Sequence, residues 1–402
     1  MVKIKDFKAF RPDYDMADKI AELPYDVMST EEAKEILKKN NLSIIQIDRP
    51  ESNYDNMPFN DPKVYEKAKR IFDEFIDEDL LKQDQENSLY LYEQTFMGNT
   101  QRGIVCLSSS KDYLDKKIKV HEKTIALKEK DRTDHIDITG FHLGPIFLLF
   151  EENKKIEMII QDTVNSGEVL FDFVKNGVRN KAYRIINSDE LIEEFENIEY
   201  TFIADGHHRC KSAINVYLKD IEEGIDRESD YFLSVLFPTD DIFIMPYNRY
   251  LSNLKGNSSR DLIEKLKKFF TIEENDEFKE PEEKGEIFLY TDGKSYRLKF
   301  KDEYKNDDAL EGLDVYLLQK YVFEEIFGIK DPTKDEDLNF IGGIRGIDYL
   351  KNLVDENGGA SFSLFPTAAE DLISVAKSGR MMPAKSTWFE PKLLNGLFVH
   401  KM

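Results

Sequence analysis

Six consecutive residues, Ala204-Asp205-Gly206-His207-His208-Arg209, bring together several side chains that could do chemistry. They follow an apolar run at residues 200–203 and precede residues 210–220, whose apolar positions have helical spacing. A strand that ends at Asp-Gly and leads into a helix points backbone N–H groups outward, and the helix dipole attracts anions there. Two histidines and an arginine at such a turn therefore predict a phosphate-binding site.

Each residue type at this turn suits a different part of that task. Gly206 permits a sharp turn and the close approach of an anion, and the planar fork of Arg209 matches phosphate oxygens. Asp205 could hold Mg²⁺ or accept a proton from a substrate. Zinc is less favoured, because neighbouring histidines diverge, whereas zinc-binding helices place them at i and i+4. The alternative is a plain helix start that carries two surface histidines.

A second charged string occupies residues 121–132 and contains Glu122, Lys123, Thr124 and Arg132. A glutamate beside a histidine and a lysine can act as a general base with cationic neighbours. Asp131 and Arg132 could form an ion pair that orients a loop. The alternative is a solvated charged loop, since runs of this kind are common.

A third string, at residues 381–392, contains Lys385 followed directly by Ser386 and a threonine. A lysine with two hydroxyl groups suits a phosphate or a carboxylate, while the tryptophan and phenylalanine that follow could anchor the tail in a core. Arg11, Tyr25 and Asp26 are further candidates for substrate binding, although Pro-Tyr-Asp is also an ordinary turn sequence.

The elements around these strings alternate between the two secondary structures. Ser29 and Glu32 predict a capping box at the start of a helix, and residues 62–81 have helical spacing. Residues 41–48 are predicted as a strand, and hairpins are predicted around Gly98-Asn99 and Asp292-Gly293. This mixture predicts an α+β (mixed α/β) fold. We expect a core at residues 1–247, a smaller accessory α+β part at 248–345 and a C-terminal segment, 346–402, that returns to the core.

Composition narrows the function classes. The 402 residues carry a net charge of -23, which disfavours nucleic-acid partners, because phosphate backbones require a basic surface. No apolar run approaches the ~20 residues of a membrane span, and the N-terminus lacks the apolar stretch of a signal peptide. We therefore expect a cytoplasmic protein without membrane partners. P-loop, dinucleotide-binding and nucleophile-elbow glycine motifs do not occur in the sequence.

Taken together, the strings resemble a prokaryotic family of unknown function, DUF1015. They occur in order along nearly the whole chain: Arg11-Pro12, Pro24-Tyr25-Asp26-Val27, His121-Glu122-Lys123-Thr124, Asp131-Arg132, Gly144-Pro145-Ile146, Ala204-Asp205-Gly206-His207-His208-Arg209 and Met382-Pro383-Ala384-Lys385-Ser386-Thr387. The family usually has a tyrosine where this chain has Cys210. The Asp-Gly-His-x-Arg string also resembles the free-serine kinases of the ParB/sulfiredoxin-like superfamily.

The resemblance implies an ATP-dependent, Mg²⁺-dependent kinase that phosphorylates the hydroxyl of free L-serine on a ParB/sulfiredoxin-like nucleotide-binding core. It implies catalytic roles for Asp205, Glu122, His207 and His208, with Asp205 also the metal ligand. Arg11, Tyr25 and Asp26 would bind the substrate. The phosphate- and nucleotide-binding set would be Arg209, Gly206, Lys123, Thr124, Arg132, Lys385 and Ser386.

Two other functions fit the same strings. One is a nucleotide-binding switch of the ParB-like type without kinase activity, and the other is a metal-dependent phosphohydrolase. The sequence leaves open the phosphate donor, the exact acceptor and the choice of general base among Asp26, Glu122 and Asp205. A homodimer is compatible with the sequence, which does not determine the oligomeric state.

Overall fold

The computed structural model describes residues 1–54, 57 and 60–402. The described residues form two compact units. The first unit comprises Met1–Val120, Thr124–Ile242 and Pro391–Met402, and the second comprises His121–Lys123 and Phe243–Glu390. These bounds differ from the sequence-based division at residues 247 and 345.

Helices and strands are mixed along the chain, which confirms the predicted α+β fold class. The described strands are β1 (Ile4–Lys5), β2 (Phe10–Arg11), β3 (Lys82–Gln83), β4 (Tyr90–Phe96), β5 (Asn99–Ser109), β6 (Ile118–Lys119), β7 (Phe141–His142), β8 (Ile146–Phe150), β9 (Val169–Lys175), β10 (Val178–Arg184), β11 (Thr201–Asp205), β12 (Tyr231–Pro238), β13 (Phe243–Met245), β14 (Tyr247–Leu251), β15 (Phe270–Asn275), β16 (Glu286–Thr291), β17 (Lys294–Phe300), β18 (Leu338–Gly342), β19 (Ala360–Leu364), β20 (Trp388–Glu390) and β21 (His400–Lys401). The described helices are α1 (Ala17–Ile20), α2 (Thr30–Lys39), α3 (Ile45–Asp48), α4 (Pro62–Asp77), α5 (Ser110–Leu114), α6 (Ala126–Thr139), α7 (Lys154–Ser166), α8 (Ser188–Phe195), α9 (His207–Glu223), α10 (Ser259–Leu266), α11 (Asp314–Leu318), α12 (Gly346–Asn357) and α13 (Ala369–Lys377). Among these helices, none has both the length and the apolar character that crossing a membrane requires.

The first unit contains a mixed sheet with the strand order β6-β11-β8-β12-β5-β4-β10-β9, and β1 pairs with β5. Strand β11 runs parallel to β6 and antiparallel to β8, and β8 runs parallel to β12. Apolar side chains of this sheet and of α9, among them Leu148, Ile203 and Ile214, are fully buried in one core. The core fixes β11 and the start of α9, and with them the turn at Asp205-Gly206.

The second unit contains an antiparallel sheet with the order β15-β17-β16-β19-β14-β18. The hairpin predicted around Asp292-Gly293 is confirmed as β16 and β17, and both turn residues have positive φ. In the first unit, the hairpin predicted around Gly98-Asn99 is confirmed as β4 and β5. Strong local turn chemistry located both hairpins correctly.

The capping box predicted at Ser29 is present at the start of α2. The Ser29 hydroxyl accepts the Glu32 N–H at 3.2 Å, and the Glu32 carboxylate accepts the Ser29 N–H at 2.7 Å. The strand predicted at residues 41–48 is wrong, because the second half of this segment forms the short helix α3. Ile44 and Ile47 lie three residues apart and are both buried, so the apolar spacing also fits a single helical turn.

Candidate functional site

The predicted strand–turn–helix is present and belongs entirely to the first unit. Strand β11 ends at Asp205, Gly206 has φ +89°, and α9 begins at His207. Gly206 offers no side chain to cap the helix, and the first turn of α9 contains no acidic residue. The N–H groups of a first helical turn have no partners within the helix, so this turn presents donors and a positive dipole end.

The guanidinium of Arg209 folds back over Gly206. A Cβ at Gly206 would lie only 3.1 Å from Arg209 Nε, which means that the missing side chain makes room for the guanidinium. The Arg209 side chain is 11% exposed. Its Nε and Nη1 are buried and have no hydrogen-bond partner among the described residues. A buried donor without a partner is costly, so these two groups require an acceptor from a ligand or a water molecule.

Acidic residues surround this guanidinium without pairing closely with it. Asp205 Oδ2 lies 3.9 Å from Arg209 Nη2. Burial would by itself lower the pKa of Arg209, but the charges of Asp26 and Asp205 outweigh this effect and raise the pKa. Arg209 therefore stays charged, as an anion site requires.

A second buried arginine, Arg132, contacts Tyr25, Asp48 and Asp131. Tyr25 N–H donates to Asp48 Oδ2 at 2.8 Å, and the Arg132 guanidinium carbon lies 4.1 Å from the centre of the Tyr25 ring. Arg132 also forms an ion pair with Asp131, at 2.7 Å, and donates to the Asp48 carbonyl at 2.9 Å. Burial raises the pKa of Asp48, against the effect of Arg132. Nε and Nη1 of Arg132 are thus engaged within the protein, and the predicted contact of Arg132 with a ligand's phosphate stays a prediction.

A small cleft of about 30 Å³ borders both arginines. Its lining also includes Asp48, Gly144 and Asn395. Asn395 donates from Nδ2 to Asp48 Oδ2 at 2.8 Å, while its Oδ1 is buried without a partner among the described residues. The cleft has room for about one water molecule or one ligand oxygen. Arg209 and Asn395, which both carry buried polar atoms without partners among the described residues, therefore line the same small cleft.

His208 and Thr124 connect the start of α9 to the start of α6. His208 Nε2 accepts the Ile125 N–H at 2.9 Å, which leaves Nδ1 as the site of the proton in the neutral ring. The Thr124 hydroxyl donates to Glu129, whose carboxylate also accepts from Asn215 in α9. His207 is buried at the first position of α9.

Lys392, which the sequence analysis did not single out, lies beside Asp205. Its Nζ lies 3.4 Å from Asp205 Oδ2, and its side chain is 13% exposed. Lys392 is 187 positions from Asp205. In the sequence it is a lysine that follows a proline and has no other distinguishing feature. No local pattern connects it to the turn.

Arg11, which is predicted to bind a substrate, contacts Asp84 of the first unit. Its guanidinium pairs with Asp84 at 3.0 Å, and Asp84 also pairs with Arg184 and accepts from the Tyr90 hydroxyl. These contacts give the mostly buried guanidinium of Arg11 an acidic partner within the protein. Its predicted contact with a substrate carboxylate stays a prediction.

The other predicted residues belong to the second unit: Glu122, Lys123, Lys385 and Ser386. Arg249 donates to the Ala384 and Lys385 carbonyls at 3.4 and 3.0 Å. Lys385 has φ +60°, and its Nζ lies 5.8 Å from the centre of the Tyr247 ring. The Met382 N–H donates to the His121 carbonyl at 2.8 Å, so two of the predicted strings meet within this unit.

Three histidines of the first unit, His135, His142 and His400, are buried. Burial lowers the pKa of His135 and of His142 to about 3, and that of His400 to about 4. His135 Nε2 lies 2.9 Å from the Ile47 carbonyl oxygen, and the His142 and His400 rings stack with centroids 5.8 Å apart. All three rings are therefore neutral in the folded protein near pH 7.

These histidines predict a loss of stability in mild acid. Their pKa values lie below the unfolded value of about 6.5, so unfolding takes up protons. The contribution of each neutral histidine to the free energy of unfolding is fully present above about pH 7. It decreases by about 2 kcal/mol for each histidine as the pH falls to 5. Urea unfolding at pH 5.0 to 7.5 should show this dependence, and His142→Asn should make the loss between pH 7 and pH 5 smaller by about 2 kcal/mol. An equal slope in the variant would contradict the assignment.

A sequence model of a family described as "Protein of unknown function (DUF1015)" matches residues 4–316. The chain belongs to the DUF1015 family. This confirms the resemblance drawn from the motifs. A comparison with curated proteins found no match.

Solved structures with a low overall likeness to this DUF1015 protein include a conserved hypothetical protein from Pyrococcus furiosus, with 15% identity over 73% of this chain and 94% of that chain and a TM-score of 0.36. A free serine kinase in complex with AMP has 16% identity, covers 73% and 91% of the two chains and has a TM-score of 0.36. SbnI from Staphylococcus aureus has 12% identity, coverage of 72% and 85% and a TM-score of 0.38. Similarities at this level do not establish a ligand or a reaction for the DUF1015 protein.

Proposed function

We propose that this protein is an ATP-dependent kinase that phosphorylates the hydroxyl of free L-serine. The observation that carries the proposal is Arg209, a buried guanidinium at the start of α9 whose Nε and Nη1 have no acceptor among the described residues. Such a fork at a helix N-terminus suits phosphoryl oxygens. The resemblance of the Asp-Gly-His-x-Arg string to free-serine kinases supplies the acceptor.

The reaction transfers the γ-phosphoryl group of ATP to the serine hydroxyl oxygen. The bond from this phosphorus to the bridging oxygen breaks, ADP leaves, and the hydroxyl proton passes to a carboxylate. Such transfers depend mainly on positioning and on neutralising charge. Arg209 and the first-turn N–H groups of α9 would stabilise the charge on the transferred group.

The carboxylates beside Arg209 suit the remaining tasks. Asp205 and Asp26 supply the oxygen ligands that Mg²⁺ prefers, and both act electrostatically on Arg209. Asp205 and Asp26 would hold the ion, which when bound would supply positive charge to offset that of the phosphate oxygens. Asp205 or Asp26 would accept the serine proton, and Asp26 is exposed, so it could also hold the serine ammonium group.

The test is a turnover assay with purified protein, ATP and Mg²⁺, with and without L-serine. We expect O-phosphoserine and ADP in equal amounts, detected by phosphorus NMR, and no product when serine is omitted. L-Alanine is the matched control, because it has the same ammonium and carboxylate groups but no hydroxyl to phosphorylate. Absence of phosphoserine in the assay with L-serine and saturating ATP would overturn the proposed kinase activity.

Two substitutions test the residues. Asp205→Asn is expected to lower kcat by about 10²-fold, in line with the loss of a positioned acid–base or metal-binding group. His208→Ala removes the acceptor of the Ile125 N–H and is expected to lower turnover by about 10-fold. Asp172→Asn is the control, because this partly exposed carboxylate of β9 pairs with Arg179 of β10. Full turnover in both site variants would contradict the assignment.

The same assay separates the two other functions. Saturable nucleotide binding without loss of ATP would favour a nucleotide-binding switch. Release of inorganic phosphate independent of serine, together with a tightly bound transition metal found by elemental analysis, would favour a phosphohydrolase.

A further inference from the structure

The C-terminal segment, residues 391–402, brings a lysine to the turn at Gly206. Lys392 Nζ lies 3.4 Å from Asp205 Oδ2, and Arg209 Nη2 lies 3.9 Å from the same oxygen. Both cationic side chains are nearly buried, at 13% and 11% exposure. One carboxylate oxygen thus draws the two cations together beside the start of α9.

The backbone of Lys392 is held on one side by a buried group of amides. Gln94 Nε2 donates to the Lys392 carbonyl at 3.1 Å and to Asn180 Oδ1 at 3.2 Å. Gln94 Oε1 in turn accepts from Gln101 Nε2 at 3.0 Å. The three amide side chains are at most 3% exposed. Both polar atoms of the buried Gln94 amide are hydrogen-bonded, and such an amide fixes geometry strongly, because breaking one of its bonds leaves a costly unpaired group.

The backbone is held equally firmly three residues further on. Asn395 exchanges two backbone hydrogen bonds with Glu22, and its side chain donates to Asp48. A Cβ at Gly144 would lie 2.0 Å from Asn395 Oδ1, so the glycine makes room for the amide. The segment around Lys392 is therefore positioned from both sides by the first unit itself.

We propose that Lys392 is a second phosphate-binding side chain, which contacts the same phosphoryl group as Arg209. Gln94 is then a positioning residue that acts through the Lys392 backbone. The inference rests on the proposed function for its phosphorylated ligand, and it adds a residue to which neither the family motifs nor the sequence assigned a role. A point charge beside a planar fork is a common way to neutralise a phosphoryl group.

An ion pair that only balances the charge of Asp205 is the alternative. The two interpretations differ in what happens when the ammonium is removed. A purely structural lysine would change stability and leave the affinity for phosphate unchanged. A phosphate-binding lysine would change that affinity and the salt dependence of binding.

The test measures binding of inorganic phosphate and of ATP by calorimetry, independently of turnover. Lys392→Met is expected to weaken both by about 10-fold, and Lys392→Arg to restore most of the affinity. Gln94→Leu keeps the lysine but loses its backbone anchor. In the turnover assay with L-serine, this variant should raise KM for ATP while the pH profile of kcat stays unchanged. Lys401→Met, in an exposed lysine of the same segment, is the control.

The outcomes separate this proposal from the kinase. Unchanged phosphate and ATP affinity in Lys392→Met would overturn the role of Lys392, whether or not the wild type phosphorylates serine. Weakened affinity in Lys392→Met, in a wild type that makes no phosphoserine, would support the phosphate site and overturn the kinase. A wild type that binds neither phosphate nor ATP would overturn both.

Discussion

Arg209→Met is expected to abolish most of the serine phosphorylation, by about 10²- to 10³-fold in kcat, without lowering the stability of the fold. The loss follows from removing a positioned cation that faces the transferred phosphoryl group. Stability should be kept, because Nε and Nη1 of Arg209 are buried without acceptors, and a partnerless buried donor costs about 1–3 kcal/mol. Loss of the attraction to Asp26 and Asp205 opposes this gain, so the free energy of unfolding should change little.

The comparison with Arg132 makes this prediction specific. Arg132 is also buried, but its Nε donates to Asp131 and its Nη1 to Asp48. Removing one partner of a buried ion pair costs about 3–5 kcal/mol, so Arg132→Met should be strongly destabilised. Two buried arginines in one unit would thus differ in how much stability the same substitution removes.

Urea unfolding and the phosphoserine assay together measure both effects. Arg179→Met, in an exposed arginine of β10, controls for a nonspecific loss of positive charge. A destabilisation of Arg209→Met as large as that of Arg132→Met would show that Arg209 is a structural residue. Arg209→Lys should recover only part of the activity, because lysine keeps the charge but loses the planar fork.

The sequence predicted the parts of the site that are local. The Asp-Gly turn between β11 and α9, the capping box at Ser29 and the hairpin at Asp292-Gly293 each depend on residues within a few positions of one another. Backbone preferences and side-chain caps act over that distance, so a single sequence contains the information. Arg209 could be singled out as a candidate for the same reason, since it lies in the first turn of α9.

The residues that the sequence analysis missed come from distant parts of the chain. Lys392 reaches Asp205 across 187 positions, and Asn395 reaches Asp48 across 347. Asp48 ends a helix in a segment that was predicted as a strand, where its side chain was given no role. Tertiary packing selects such partners, and no local pattern encodes it. Arg11 shows the converse, because a charged residue in a recognisable string has a structural partner in Asp84.

Gly206→Ala is expected to lower turnover, whereas its matched control, Gly224→Ala, is not. Gly206 and Gly224 flank the two ends of α9 with φ of +89° and +68°. Placing alanine in this left-handed region costs about 1–2 kcal/mol at either position. The surroundings differ, because a Cβ at Gly206 would lie 3.1 Å from Arg209 Nε, whereas a Cβ at Gly224 would meet nothing within 4 Å.

The two alanine variants should therefore lose similar stability but different activity. We expect Gly206→Ala to lower kcat/KM by about 10- to 100-fold, since a displaced guanidinium no longer matches the phosphoryl group. Gly224→Ala should keep its turnover at temperatures well below its own Tm. Equal activity in both variants would mean that the contact between Gly206 and Arg209 has no catalytic role. A loss of turnover in Gly206→Ala but not in Gly224→Ala would show that the position of the Arg209 guanidinium matters for activity. Arg209→Met tests only whether the guanidinium must be present.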